Sequence, residues 1–289
     1  MNSFKIALCQ ILPGFDKHQN VEHAIELIKQ AAGQGAEIVA LPEIFYYPYD
    51  LHSLRQLAGD EQRILDQFKD ICVSKQIVLC TGSMVIQEGG KYYNTSFLID
   101  RTGEIVLQYR KCHLYDVRFK GLDVQESSVF SAGDRIDTAK TSLGNISIII
   151  CYDIRFPEIS RLAALSGAEL LIVPADFNQV SGPAHWEVMM RARAIENQVF
   201  LAAVSQAKNK EAPYKVFGHS MIISPWGEII AEAGDGEEVV IADLDGSLLE
   251  NIRNRLPLLK HIRKDMYSVQ QFLGSNSTKL GGFNETLPG

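Results

Sequence analysis

The chain has 289 residues, 46% of them hydrophobic, enough to bury a large core in one α/β domain or two small ones. Its net charge of −7, with acids and bases interspersed, offers no basic face for nucleic acid or anionic lipid, and no stretch approaches the apolar length of a membrane span. Five scattered cysteines, Cys9, Cys72, Cys80, Cys112 and Cys151, contain no paired C-x-x-C, which argues against a disulfide framework and a zinc site.

Met1-Asn2-Ser3-Phe4-Lys5 runs straight into a strand without a signal-peptide pattern, which suggests a cytoplasmic protein. Phe4 to Leu12 reads as that strand, and Gln19 to Ala32 as a helix with Val21, Ile25 and Ile28 on its apolar side, ended by Gly33. Glu37 to Leu41 is a short apolar strand that delivers Glu43 at its carboxyl end, behind a proline that stops the sheet. Open α/β sheets place their sites at such ends. Glu61 to Lys75 predicts a second helix. Ile77 to Ile86 and Tyr92 to Asp100 form a hairpin through Glu88-Gly89-Gly90-Lys91, and Glu104 to Tyr109 continues the meander. Lys111 then leaves a strand end in the polar cluster Tyr109-Arg110-Lys111-Cys112-His113-Leu114, followed by a long loop to Asp134.

Strands follow at Thr138 and Ile146. The run Ile146-Ser147-Ile148-Ile149-Ile150 ends at Cys151 and is followed at once by Tyr152-Asp153-Ile154-Arg155-Phe156-Pro157-Glu158, a buried strand turning sharply into a helix. Pro157 suits a first helical position and Glu158 the positive end of the helix dipole. A thiol at that turn is expected to sit among unpaired backbone N–H groups that lower its pKa and offer donors to an oxyanion. A strand over Glu169 to Val173, a helix over Ala184 to Asn197 and a strand over Val199 to Val204 come next. His219 to Ser224, Gly227 to Ala233 and Glu238 to Ala242 read as a final antiparallel set. The pattern predicts an α/β (α+β layered) fold, a four-layer α-β-β-α sandwich with two mixed β-sheets, as one domain over residues 1–267. Residues 268–289 form a polar tail rich in Gly, Ser and Asn without helical or strand periodicity.

Three strand ends thus offer a carboxylate, an ammonium and a thiol. Each has a plain alternative: Glu43 as a solvated strand-end acid, Lys111 as a surface cation, Cys151 as a small buried hydrophobe. Together, Leu41-Pro42-Glu43, Arg110-Lys111-Cys112-His113-Leu114 and Cys151 to Glu158 resemble, in order, the three motif blocks of the nitrilase superfamily of carbon–nitrogen hydrolases. The resemblance extends from Ile6-Ala7-Leu8-Cys9-Gln10 to Ser220-Met221-Ile222-Ile223-Ser224-Pro225-Trp226-Gly227. Gly182-Pro183-Ala184-His185-Trp186-Glu187, Arg191 to Gln198 and Arg263-Lys264-Asp265-Met266-Tyr267 are most similar to the ω-amidase and deaminated-glutathione-amidase branch.

The resemblance implies the sandwich fold and amide hydrolysis through a Cys thioester without cofactor or metal. Cys151 would be the nucleophile, Glu43 the general base and acid, and Lys111 the oxyanion's cation together with the backbone N–H of Tyr152. Glu126 matches a second glutamate that positions substrate and lysine, its alternative being a simple loop acid. Arg155, with the hydroxyl of Ser181 where threonine is the more frequent family choice, would hold the far carboxylate of the substrate; a surface ion pair with Asp153 or Glu158 competes. Tyr49 is read as a wall of a pocket for short substrates, with Arg118 and Phe119 as further candidates. His113 is read as a hydrogen-bonded support and His185 as structural, with Trp186, Met189 and Met190 packing a helix. The expected reaction converts a short dicarboxylate monoamide, such as 2-oxoglutaramate or succinamate, to the dicarboxylate and ammonia. Alternatives are a deaminated-glutathione amidase, an N-carbamoyl amidase or, outside this class, a thiol redox sensor that leaves Glu43 and Lys111 unexplained. The family also implies a homodimer or higher homo-oligomer, with the tail packing on a partner subunit.

Overall fold

A computed structural model describes residues 1–119 and 121–272. Its strands are β1 Phe4–Gln10, β2 Ile38–Ala40, β3 Val78–Cys80, β4 Met84–Glu88, β5 Lys91–Ile99, β6 Ile105–Arg110, β7 Asp116–Phe119, β8 Leu122–Gln125, β9 Thr138–Thr141, β10 Gly144–Ile148, β11 Leu170–Pro174, β12 Phe200–Val204, β13 Met221–Ile223, β14 Ile229–Glu232 and β15 Glu238–Leu244. The helices are α1 Lys17–Gly33, the short α2 Leu51–Leu54, α3 Glu61–Lys75, α4 Pro157–Leu165, α5 Gly182–Asn197 and α6 Gly246–Arg255. Seven strands make one mixed sheet in the order β15-β1-β2-β3-β5-β4, with β6 also on β5; six make the other, β14-β13-β12-β11-β10-β9.

Alternation along β1 shows how the layers are built. Ile6 and Leu8 face Ile148, Ile172 and Ala202 of the second sheet, whereas Ala7 and Cys9 face Ile25 and Ile28 of α1 and Phe68 of α3. Successive side chains on a strand point to opposite faces, so a central strand covered on both sides must be apolar throughout. Met190 and Ala194 of α5 and Ala163 and Ala164 of α4 cover the second sheet from outside. The resulting order, helices, sheet, sheet, helices, is the expected sandwich. Asp16 caps α1 by accepting from the N–H groups of His18 and Gln19, and Gly35 at φ +88° turns the chain away from its end. Pro157 occupies the first turn of α4, as predicted.

The strand expected over Ile77 to Ile86 is broken at Thr81-Gly82-Ser83. Gly82 has φ +68°, and a Cβ there would lie 2.1 Å from the Pro42 carbonyl oxygen. The interruption lets this turn press against the segment that carries Glu43. The final strands do not form one set: β13 and β14 belong to the second sheet, while β15 crosses over to pair antiparallel with β1. Periodicity reports a strand but not its partner. The loop expected from Lys111 to Asp134 contains the β7–β8 hairpin and a 3-10 turn over Glu126–Ser128. Helix α6, capped by Asp245 and buried through Leu249 and Ile252, was not predicted. Among the described residues no helix is long and apolar enough to cross a membrane. Gln271 accepts a hydrogen bond from the Ile136 N–H at 2.5 Å, and the rest of the tail from residue 273 lies outside the described residues.

Candidate active site

The site lies at the carboxyl ends of strands from both sheets. Glu43 follows β2 and Lys111 follows β6 in one sheet; Cys151 follows β10 and Asp176 follows β11 in the other. Both chemical ends stand on strained backbone. Ile44, next to Glu43, has φ 43° and Cys151 has φ 45°. A left-handed conformation costs a residue with a Cβ about 1–3 kcal/mol, and a β-branched one is a rare outlier, so surrounding bonds must impose it. For Ile44 they do: its N–H donates to Ser83 Oγ at 3.0 Å, and Gln206 Nε2 donates to the carbonyls of Glu43, Ile44 and Tyr47 at 3.1, 3.0 and 3.0 Å.

The Cys151 turn is a 3-10 turn over Cys151–Arg155 that precedes α4, and Asp153 braces it. This carboxylate is fully buried and accepts from the Ile150 N–H at 3.0 Å, Tyr109 OH at 2.7 Å, and the N–H and Nδ1 of His113, both at 2.8 Å. Tyr109 and His113 flank Lys111 two residues to either side, so one carboxylate ties the Cys151 turn to the lysine's strand. His113 is therefore the support expected of it. Asp153→Asn removes the charge from these bonds, each worth about 1.5–3 kcal/mol. Thermal melting and steady-state turnover should both fall, turnover by about tenfold or more as Cys151 and Lys111 lose register; unchanged turnover would remove Asp153 from this role.

Lys111, Glu43 and Glu126 are buried together. The Lys111 Nζ donates to Glu43 Oε1 at 2.9 Å and to Glu126 Oε1 at 2.8 Å. Asn94 Nδ2 donates to Glu43 Oε1 at 2.8 Å, while Tyr49 OH at 2.5 Å and the Tyr115 N–H at 2.7 Å hold Glu126. Burial pulls the Lys111 ammonium down, but the carboxylates of Glu126 and Glu43 outweigh it and keep the lysine charged. Burial holds the Glu43 carboxyl above its usual range; Lys111 opposes the shift and Glu126 adds to it. The Cys151 thiol is pushed well up, by burial first and by the Glu43 charge second, against Lys111 and the Asp176 N–H. This corrects the expectation of a lowered thiol pKa: backbone donors are present, but the turn is closed off from water and faces carboxylates. The arrangement thus holds a neutral thiol beside a base, not a standing thiolate.

Cys151 opens into a narrow cavity of about 10 Å³ whose lining includes Tyr115, Tyr152, Arg155, Asp176, Phe177 and Ser181. Arg155 lies over the Phe177 ring at 4.5 Å, donates through Nη2 to Ser181 Oγ at 3.1 Å and through Nη1 to His185 Nδ1 at 3.0 Å. Asn178 Oδ1 accepts from the Ser181 hydroxyl at 3.3 Å. The alternative ion pair of Arg155 with Asp153 or Glu158 does not form; among the described residues no carboxylate pairs with this guanidinium. The His185 ring holds Arg155 in place, a structural role like that of His113. Tyr152 packs edge-on against Tyr115 and Phe156.

Tyr49 is not among the residues lining the Cys151 cavity. It holds Glu126, and its ring lies 5.0 Å from that of Tyr214, at the border of a larger open cavity of about 540 Å³. That cavity carries none of Glu43, Lys111 and Cys151, so the chemistry belongs to the smaller one. Arg118, 84% exposed in its side chain and paired with Asp123, and exposed Phe119 lie outside both cavities. Sequence reasoning missed Asn94, Tyr115, Tyr214 and Asp176. Asp176 was within reach, since Val173-Pro174-Ala175-Asp176 repeats the strand, proline and acid pattern that singled out Glu43.

The model of the family described as carbon–nitrogen hydrolase matches residues 5–254. The omega-amidase NIT2 of Xenopus tropicalis is 41% identical over 276 residues, covering 94% of this chain and 99% of that protein. Saccharomyces cerevisiae Nit3, a member of branch 10 of the nitrilase superfamily, superposes with a TM-score of 0.82 at 34% identity, covering 91% of this chain and 97% of that one. A mutant amidase from Nesterenkonia sp. AN1 superposes with a TM-score of 0.76 at 25% identity, covering 91% of this chain and 95% of that one; the acetamide moiety of fluoroacetamide is covalently added at its active-site cysteine.

Proposed function

We propose that this chain, which belongs to the carbon–nitrogen hydrolase family and is an amide-hydrolysing enzyme, acts as an ω-amidase that releases ammonia from the terminal amide of a short dicarboxylate monoamide such as succinamate or 2-oxoglutaramate. The observation that carries the substrate class is Arg155, a guanidinium without a carboxylate partner among the described residues, in the same small cavity as the Cys151 thiol. A bidentate carboxylate suits its fork, and Ser181 and His185 hold that fork in place.

The reaction follows from the geometry. Glu43, raised by its burial, is a stronger base than a solvated carboxylate and takes the Cys151 proton as sulfur attacks the amide carbon. The oxyanion forms beside the Lys111 ammonium and the Tyr152 N–H. Glu126 keeps Lys111 paired when Glu43 becomes neutral, so the cation stays in place through the proton transfer. Glu43 then gives its proton to the leaving nitrogen, and ammonia departs. A water loses a proton to Glu43, attacks the thioester carbon, and expels sulfur, which recovers the proton. The product is the dicarboxylate.

Arg155→Ala should lower kcat/KM for succinamate by about 2 to 4 kcal/mol, the scale of a lost charge-assisted pair, and Arg155→Lys should already hurt. An uncharged amide of equal length should lose far less. Equal losses on both substrates would sink the carboxylate anchor. The proposal includes a homo-oligomer, supported by the exposed apolar side chains of Val188, Ile195 and Trp226, and a reducing compartment such as the cytoplasm, because the mechanism needs Cys151 as a free thiol.

A further inference from the structure

Three buried carboxyl groups face Cys151, and one ammonium serves them. Lys111 is shared by Glu43 and Glu126. Asp176, 1% exposed at the end of β11, lines the Cys151 cavity together with Arg155. Its Oδ1 accepts from the Gln206 N–H at 2.9 Å, while its Oδ2 is buried without any hydrogen-bond partner among the described residues. An ionised oxygen in that position is disfavoured, because it accepts no hydrogen bond in place of its lost water, the Ser205 hydroxyl donating instead to the Gln206 carbonyl at 3.1 Å. A neutral acid there carries its proton on the free oxygen and lacks only an acceptor, which an acyl chain in the cavity would bring.

We propose that Asp176 is a specificity-determining residue that meets the substrate as a neutral carboxylic acid, its Oδ2–H donating to a carbonyl or carboxylate oxygen of the acyl chain, and that its ionisation turns the cavity against anionic amides. The inference deepens the ω-amidase reading and rests on it. Burial holds the Asp176 carboxyl well above the usual carboxylate range, and the Glu43 charge adds to that; the Gln206 N–H, Lys111 and the Ser205 hydroxyl oppose it. The groups facing Asp176 are Glu43 beyond β2, Lys111 beyond β6, Cys151 beyond β10, the Arg155 guanidinium across the same cavity, Tyr115, Ser205 and Gln206 beyond β12, and Tyr214, whose OH donates to the Asp176 carbonyl at 3.0 Å. A raised carboxyl keeps its proton to a higher pH than a solvated one and ionises as the pH rises further, so discrimination should be lost on the alkaline side.

The test is the ratio of kcat/KM for succinamate to that for pentanamide, followed against pH in wild type, Asp176→Asn and Asp176→Ala. Titration of Glu43, Lys111 or Cys151 acts on the chemistry of both substrates and cancels in the ratio. In wild type the ratio should fall by at least about tenfold on the alkaline side, the scale of one charge-assisted contact. Asp176→Asn keeps a neutral donor; its ratio should stay within about threefold of the neutral-pH wild-type value and not fall. Asp176→Ala should lower the ratio about tenfold and flatten it. If the alanine variant does not fold, as judged by thermal melting, the near-isosteric asparagine decides. A flat ratio in wild type, or an alkaline fall that persists in Asp176→Asn, overturns the role of Asp176 while leaving the ω-amidase reading intact. Absence of any succinamate preference in wild type at neutral pH overturns both.

Discussion

Cys151→Ala is expected to abolish ammonia release while the protein remains folded. The substitution removes one sulfur atom from a turn whose shape is set by Asp153 and its four hydrogen bonds to three residues, so stability should change by no more than about 2 kcal/mol. Mass spectrometry of the wild type with substrate should find an acyl adduct at Cys151 alone. Burial pushes the other thiols up, Cys9, Cys72 and Cys112 to about 12 and Cys80 to about 11. Cys151 is raised as well. What sets it apart is therefore not acidity but the Glu43 carboxylate within reach, which removes the proton only as the carbon–sulfur bond forms. Turnover by the alanine variant, or an adduct on another cysteine, would defeat the mechanism.

Glu43→Gln and Lys111→Met should each lower the rate by roughly a hundredfold or more, through loss of the base and of the oxyanion's cation respectively. Their stabilities should separate them. Glu43→Gln leaves the Lys111–Glu126 pair intact, so melting should change little. Lys111→Met strands two buried carboxylates, a loss on the order of 3–5 kcal/mol at neutral pH. Because both acids can then be neutralised by protons, the lysine variant should regain stability on acidification. A lysine variant as stable as wild type at neutral pH, or near-normal turnover in either, would break the assignment.

Most of the frame could be read from residue patterns. Helix α3 matches its predicted span, since acids at its start, a lysine at its end and apolar side chains at helical spacing agree. Glu43, Lys111 and Cys151 could be singled out in the sequence because each follows an apolar run or alternation at a strand's end and stands in a motif that resembles the family's. The partner of β15 was not legible, because an amphipathic strand fits several sheet edges until the fold selects one. The thiol's pKa was misread for a related reason: backbone donors at a turn are local, whereas the burial and carboxylates that outweigh them arrive from the other sheet. Asp176 was passed over although its segment repeats the pattern before Glu43; what distinguishes it, an oxygen without a partner, exists only after packing. The association of His185 with Arg155 likewise joins residues 30 apart in the chain.

The division of the site between two sheets bears on how the protein matures. One sheet brings the base and the ammonium, and the other brings the sulfur, the arginine-bearing turn and Asp176. A nascent chain in which either layer has formed alone holds a thiol with nothing to deprotonate it, or a base with nothing to activate. Chemical competence is thus withheld until the two layers close on each other, and an incompletely assembled molecule stays inert toward both its substrate and its neighbours.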